Sequence, residues 1–269
     1  MIPKIIHYCW FGGNPKSKLI LKCIDSWKAI CPDFEIRCWT EADFDIGSVP
    51  FVKHAHDLNK WAFVADYVRL HALNSIGGIY LDTDVQMLRP FEEKWMKHSF
   101  FSAHEYHPGI FDDQSKGEGR VLPDGSRDPK TSHVEGFGIL SAVMAAVPAH
   151  PFTKKCLAHY QDLSFSDEKT EINNLIIGGL ITKFAEPYGY LYRNSEQRLS
   201  EDMLILPADT FVGNSVHLTA DSYAIHLANG SWHDRDQYDS FVFNMRNNHP
   251  SIYPAVAFLD KILRKIKFV

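Results

Sequence analysis

The run GGIYLDTDV, residues 77–85, joins two glycines, a short apolar stretch and two aspartates set one residue apart. Glycine readily adopts the left-handed backbone that ends helices, so Gly77 and Gly78 read as the stop of a preceding helix. Ile79, Tyr80 and Leu81 suit a buried strand, whereas aspartate is depleted in strands, so Asp82 and Asp84 mark where that strand ends. In an extended strand they would point to opposite sides, and only a bend lets both face one ligand. Two carboxylates beyond the carboxyl end of a strand, where open α/β sheets bind ligands, can hold a divalent cation through hard oxygen atoms. The cation in turn cancels the charge of a diphosphate that carboxylates alone would repel. A bare D-x-D is more often a polar turn, so the surrounding sequence has to decide.

Working outward, IPKIIHYCWFGG opens the chain with a strand ended by a turn, and KSKLILKCIDSWKAICP follows as a helix stopping before Pro32. Its apolar face runs through Leu19, Cys23 and Trp27, widened by Ile20, Ile24 and Ala29. FEIRCW then alternates as a strand, which makes a βαβ unit opening an α/β sheet, and TEADFDIGSVP reads as loop. HDLNKWAFVADYVRLHALNSIGG predicts one helix with a stripe of Trp61, Ala65, Val68 and Ala72, and with Asp66 and Arg69 three apart on a shared face. Residues 104–133 are rich in Gly, Pro, Asp and His without periodicity, the composition of a functional lid or a disordered insert. VEGFGILSAVMAAVPAHP is strand-like, TEINNLIIGGLITKFAEPYG helical with an interruption at Gly178 and Gly179, and DMLILP and DSYAIHLANGSW two further strands.

Across 269 residues, 45% are apolar and 13% aromatic, enough for a full core without staples. A net charge of −5 gives no electrostatic reason to expect a polyanion, so nucleic acid is not an expected partner. Five cysteines with no C-x-x-C pair argue against a disulfide framework or thiolate zinc site and read as free thiols in a reducing compartment. No signal peptide and no membrane-spanning run is apparent, which predicts a cytoplasmic protein.

IPKIIHYCWFGG, KWAFVADYVRLHALNSIGGIYLDTDV and DSYAIHLANGSW together resemble glycosyltransferase family 32, the DXD-containing sugar transferases of bacterial capsular and cell-surface polysaccharide synthesis. The resemblance spans about residues 1–235. It implies a GT-A fold, a single Rossmann-like α/β domain with a central mixed sheet flanked by helices, taken here as residues 1–245, with 246–269 as a C-terminal tail. It implies a nucleotide-sugar donor with uridine as the base, a glycan or lipid-linked oligosaccharide acceptor, retention of anomeric configuration, and Mn2+ or Mg2+ as cofactor. Trp10 matches the aromatic residue that stacks on the base, with Cys9 giving backbone contacts beside it. Asp66 and Arg69 match residues that approach ribose and diphosphate, although Ala65 replaces the serine usual in that pattern. Asp82 matches a residue that contacts ribose and reaches the metal through water; Asp84 and His226 match direct metal ligands. Leu227 stands where many relatives carry a second histidine. Ser231 and Trp232 match donors to the β-phosphate on a loop that Gly230 lets close. No base is identified by sequence; Glu135 and Asp112 are the acidic candidates on the acceptor side.

Two other readings compete. DTDV also fits the D-x-D-x-[TV] of haloacid-dehalogenase-type phosphatases, with Asp82 as nucleophile, but that motif ends a first strand and needs a downstream acid pair. A non-catalytic sugar-nucleotide or glycan-binding module would share the binding residues without turnover. The last stretch, YPAVAFLDKILRKIKFV, is amphipathic and basic; it fits either peripheral contact with an anionic inner leaflet or an ordinary terminal helix.

Overall fold

The computed structural model describes residues 1–161, 163, 165, 177–213, 217–227 and 245. The opening unit is as expected. Strand β1 (Ile5–Cys9) leads into helix α1 (Lys18–Ile30), then β2 (Glu35–Trp39), which pairs parallel with β1. Ser17 caps α1, its hydroxyl accepting from the Ile20 amide at 3.3 Å. The helix buries Leu19, Ile20, Cys23, Ile24 and Trp27 but leaves Ala29 exposed, so its apolar face is narrower than the sequence suggested.

The single helix expected through residues 56–76 is two. Helix α2 (Pro50–Asp57) begins with proline in its first turn, and α3 (Trp61–Ser75) follows after Asn59, whose φ of 56° breaks the helical path. Trp61 and Ala65 are only partly buried, whereas Phe63, Val64, Tyr67, Leu70 and Leu73 are buried as well as Val68 and Ala72. The helix is wrapped rather than striped, which is why Asp66 and Arg69 lie inside the protein. Gly77 and Gly78, with φ of 73° and 117°, end it and start β3 (Gly78–Leu81).

A turn carries the chain from β3 to β4 (Val85–Met87), and a short helix α4 (Glu93–Met96) leads to β5 (Phe100–Tyr106). Next come α5 (Pro108–Ile110), a π-helical turn over residues 111–116, β6 (Phe137–Ile139), β7 (Val143–Ala146) and α6 (Pro151–Gln161). Helix α7 (Ile177–Ala185) includes Gly178 and Gly179, and the helical stretch expected before them, residues 170–176, lies outside the described residues. Strands β8 (Gln197–Leu199), β9 (Met203–Leu206), β10 (Phe211–Val212) and β11 (Ala224–His226) complete the described elements.

Among the described residues the main sheet has eight strands in the order β2-β1-β3-β7-β5-β9-β8, with β6 paired to β5. It is mixed: β7 runs antiparallel to both neighbours, which leaves β1, β3, β5 and β9 parallel to one another with their carboxyl ends on one edge. One core cluster on the sheet includes Phe51, Leu70, Phe100 and Tyr160; another includes Ile6, Trp27, Trp95 and Phe101. This is the mixed α/β sheet flanked by helices that the sequence predicts. Residues 104–133 are held to the body at several points. Arg127 donates to both oxygens of Glu186 at 2.7 and 2.8 Å, Tyr192 donates its amide to the Gly125 carbonyl at 2.7 Å, and buried Ser115 bonds the Glu135 backbone. All five cysteines are free thiols, as expected. Among the described residues no helix is long and apolar enough to cross a membrane, and the tail 246–269 lies outside them.

Candidate functional site

The bend that the two aspartates require is present. Strand β3 stops at Leu81, the Asp82 amide donates to the Ala142 carbonyl at 2.9 Å, and Val85 closes a turn onto the Asp82 carbonyl at 2.9 Å. From below, the indole of buried Trp27 donates to the Val85 carbonyl at 2.7 Å, which ties α1 to the far end of the turn. A second, three-stranded sheet, β10-β11-β4, then brings in a distant residue. Its register sets His226 opposite Val85, and the Leu227 amide bonds the Asp84 carbonyl at 3.0 Å. As a result Asp82, Asp84 and His226 each offer a ligand atom within 4.8 Å of the others. His226 Nε2 lies 3.3 Å from Asp84 Oδ1 and 4.0 Å from Asp82 Oδ2.

That donor set fits a hard or borderline divalent cation. Ligand bonds of about 2.1–2.5 Å give spacings between ligands of up to about 4–5 Å, the size of this cluster. Two carboxylates with one imidazole suit manganese or magnesium better than a thiophilic metal. Without a cation, burial disfavours the charged His226 ring, but Asp84, with Asp82 and Glu105 behind it, more than offsets this and raises its pKa to about 9. The other ring nitrogen, Nδ1, is buried with no hydrogen-bond partner among the described residues.

Behind Asp82 sits a buried charge network. Arg69 reaches Asp66 Oδ1 at 2.7 Å and Asp82 Oδ1 at 3.3 Å with one terminal nitrogen, and donates to the Ser141 carbonyl at 2.9 Å with the other. Asp66 and Arg69 are therefore not an exposed helix pair: they are 7% and 4% exposed. Burial pushes the Asp66 carboxyl up to about 7, Arg69 pulls it down, and Asp82 adds to the rise. Burial also opposes the Arg69 charge, but Asp82 first, then Tyr80 and Asp66, more than offset it and raise its pKa. Tyr80 completes the network, its hydroxyl donating to Asp82 Oδ1 at 3.0 Å and its ring lying 4.7 Å from the guanidinium. Tyr80, next to last in β3, lies two residues before Asp82 and on the same side, although its place inside an apolar run reads in the sequence only as buried strand.

Cys9 and Trp10 follow at the carboxyl end of β1. Burial pushes the Cys9 thiol up, with Arg69 and Tyr80 close enough to pull it partly back. The Trp10 amide bonds the Trp39 carbonyl at 2.8 Å; its indole is half-buried, donates to the Asn14 carbonyl at 2.8 Å and carries the Lys16 ammonium 5.0 Å from its centre. Ser231 and Trp232, with Gly230, lie outside the described residues. The acidic candidates belong to other networks. Asp112 accepts from Tyr106 and Lys116, each at 3.0 Å, and Glu135 pairs with His133 at 3.0 Å. Glu105 is closer in: although it falls in the stretch whose composition reads as loop, it is the last but one residue of β5, and its charge is felt at His226.

Residues 17–102 match the family described as "Glycosyltransferase sugar-binding region containing DXD motif". The matched stretch covers α1, the helix of Asp66 and Arg69, and both aspartates. Solved structures similar to the chain include a PaToxG glycosyltransferase, 18% identical over 69% of this chain and 69% of that one, with a TM-score of 0.46. Mouse xyloside xylosyltransferase 1 is 10% identical over 85% of this chain and 98% of that one, with a TM-score of 0.44. The galactosyltransferase LgtC, in complex with donor and acceptor sugar analogues, is 12% identical over 87% and 91%, with a TM-score of 0.40. No curated protein matches the chain.

Proposed function

We propose that the chain is a metal-dependent, retaining glycosyltransferase of the GT-A type, moving a hexose or N-acetylhexosamine from a uridine-linked nucleotide sugar to a glycan or lipid-linked oligosaccharide acceptor in cell-surface polysaccharide synthesis. The observation that carries this reading is the cluster of Asp82, Asp84 and His226 beyond β3, inside a matched DXD sugar-binding region. Asp84 and His226 would hold Mn2+ or Mg2+ directly, with Asp82 beside them, and the bound cation would neutralise the donor diphosphate. Arg69 and Tyr80, already bonded to Asp82 Oδ1, hold that carboxylate aimed at the cluster. Because Arg69 and Asp66 are buried behind Asp82, their part is positioning more than direct contact.

Trp10 and Cys9, at the end of the strand beside β3, would take the base. Ser231 and Trp232 would donate to the β-phosphate as charge develops on it, which favours the transition state over the bound donor. The acceptor hydroxyl would attack from the face the nucleotide leaves, passing its proton to the departing phosphate oxygen, so that an α-linked donor gives an α-linked product.

The test is hydrolysis of UDP- and GDP-sugars by the purified protein with and without Mn2+. Metal-dependent release of nucleotide is expected, and Asp84→Asn should lower it at least a hundredfold; full activity in that variant would remove Asp84 as a ligand. Release of phosphate from simple monoesters, with a phosphorylated Asp82, would point instead to the phosphatase. Donor binding with neither hydrolysis nor transfer would point to the binding module. Contact of the basic tail with an anionic inner leaflet is tested by truncation after Tyr253, which should abolish sedimentation with anionic liposomes.

A further inference from the structure

Glu105 stands at the carboxyl end of β5, on the same sheet edge as Asp82. Between β3 and β5 lies only β7, so the two strand ends are about 10 Å apart at the usual spacing of neighbouring strands. The small sheet brings Glu105 closer to the candidate metal ligands. Strand β10 pairs with β11 so that Phe211 meets Ala224 and Val212 meets Ile225; one residue further, Gly213 falls beside His226. A Cβ on Gly213 would come within 3.3 Å of Glu105 Cγ and 3.6 Å of its Oε1. A side chain at position 213, beside His226, would thus press against Glu105, and glycine there leaves the Glu105 side chain room next to the cluster. On another side, Gly178 in the first turn of α7 would carry a Cβ 3.8 Å from Glu105 Oε2.

The Glu105 side chain is 32% exposed and, among the described residues, its only ion-pair partner is His107, at 3.4 Å. No Lys or Arg among them neutralises it. A carboxylate accepts hydrogen bonds and donates none, and beside Asp82 and Asp84 it would repel a phosphate. What it can receive there is a pair of hydroxyl groups.

The ligand's layout follows from the strand order. With Trp10 at the end of β1 and the aspartates at the end of β3, a nucleotide sugar lying along this edge turns its base toward β1 and its sugar toward β5. We propose that Glu105 binds the hydroxyls of the sugar being transferred, and so is a specificity-determining residue of this site. The inference rests on the reading of the chain as a nucleotide-sugar-dependent transferase.

The test separates binding of the sugar from binding of the nucleotide. Calorimetric titration with UDP, UDP-glucose, UDP-galactose and UDP-N-acetylglucosamine, each with Mn2+, is carried out on the full chain and on Glu105→Gln and Glu105→Asp. Thermal melting checks that both variants fold. Glu105→Gln should bind Mn2+ and UDP within about twofold of wild type but lose about tenfold to a hundredfold in affinity for the preferred UDP-sugar, the worth of a charge-assisted hydrogen bond. Glu105→Asp should recover part of that loss. An unchanged ratio of UDP-sugar to UDP affinity in Glu105→Gln overturns the assignment. So does a parallel loss of UDP and Mn2+ binding, which would make Glu105 a support for the metal cluster. If wild type itself binds none of these nucleotides, nor the GDP-sugars, the transferase reading fails with it; if wild type binds them, Asp84→Asn does not, and Glu105→Gln behaves as wild type, only the Glu105 assignment fails.

Discussion

At the level of single residues, Arg69 shows how one buried charge ties together the carboxylates behind a candidate site. Its guanidinium satisfies Asp66, Asp82 and the Ser141 carbonyl from a position only 4% exposed. Removing the charge while keeping the bulk leaves two carboxylates without their counter-ion, one of them buried, and a lone buried charge costs about 3–5 kcal/mol. Arg69→Met is therefore expected to lower unfolding free energy by that amount in urea titrations, along with activity; lost activity at unchanged stability would mean that Arg69 is a ligand contact and no structural anchor. The aspartates and His226 were legible in the sequence because carboxylates after an apolar strand and a histidine in a matching motif are unusual placements. Tyr80 was not, since its hydroxyl is hidden within a run that reads as core. Glu105 was not, because strand β5 ends inside a stretch whose Gly, Pro and Asp content reads as loop.

Elements fix where those residues meet. The opening βαβ unit and the stop at Gly77 were readable because local chemistry decides them. Gly77 has φ of 73°, and a Cβ there would lie 2.6 Å from Pro148 Cδ. Gly77→Ala should cost about 2 kcal/mol or more, from left-handed strain plus the clash, seen as a drop in thermal midpoint. What local pattern could not give was the pairing of β4 with β11 across more than a hundred residues, which alone brings His226 to Asp84. Nor did it give the break at Asn59, where a positive φ in a non-glycine residue has no periodic signature. The small sheet is anchored by Phe211, fully buried against Phe91 and Trp95. Phe211→Ala should cost about 3–5 kcal/mol and, because it loosens the strand beside β11, should also weaken Mn2+ binding; an unchanged Mn2+ affinity in the folded variant would show that His226 is held by β4 alone.

For the molecule as a whole, buried ionisable groups set the pH range over which the fold is stable. His104 lies in the core on β5; its Nε2–H donates to the Ser195 carbonyl at 2.9 Å, and Nδ1 accepts from the Tyr190 hydroxyl at 3.0 Å. Both contacts are satisfied by the neutral ring, and burial lowers its pKa to about 4, against the small opposing pull of Ser195. In the unfolded chain the same ring titrates near 6.5, so between about pH 6.5 and 4 the unfolded state binds a proton that the fold refuses. The contribution of His104 is complete above pH 6.5 and is lost as pH falls toward 4, amounting to about 3 kcal/mol. Asp66 works in the opposite sense. Its folded pKa of about 7 lies above the ordinary carboxylate value, so it stabilises at low pH and loses that contribution as pH rises through 7. The two partly cancel, and the wild-type curve alone hides both. Subtracting the curve of His104→Gln removes the shared Asp66 contribution, and the difference in unfolding free energy between wild type and variant should shrink by about 3 kcal/mol from pH 7 to pH 4. A difference that stays constant with pH would mean that His104 titrates normally in the fold and that its ring is not held neutral by the core.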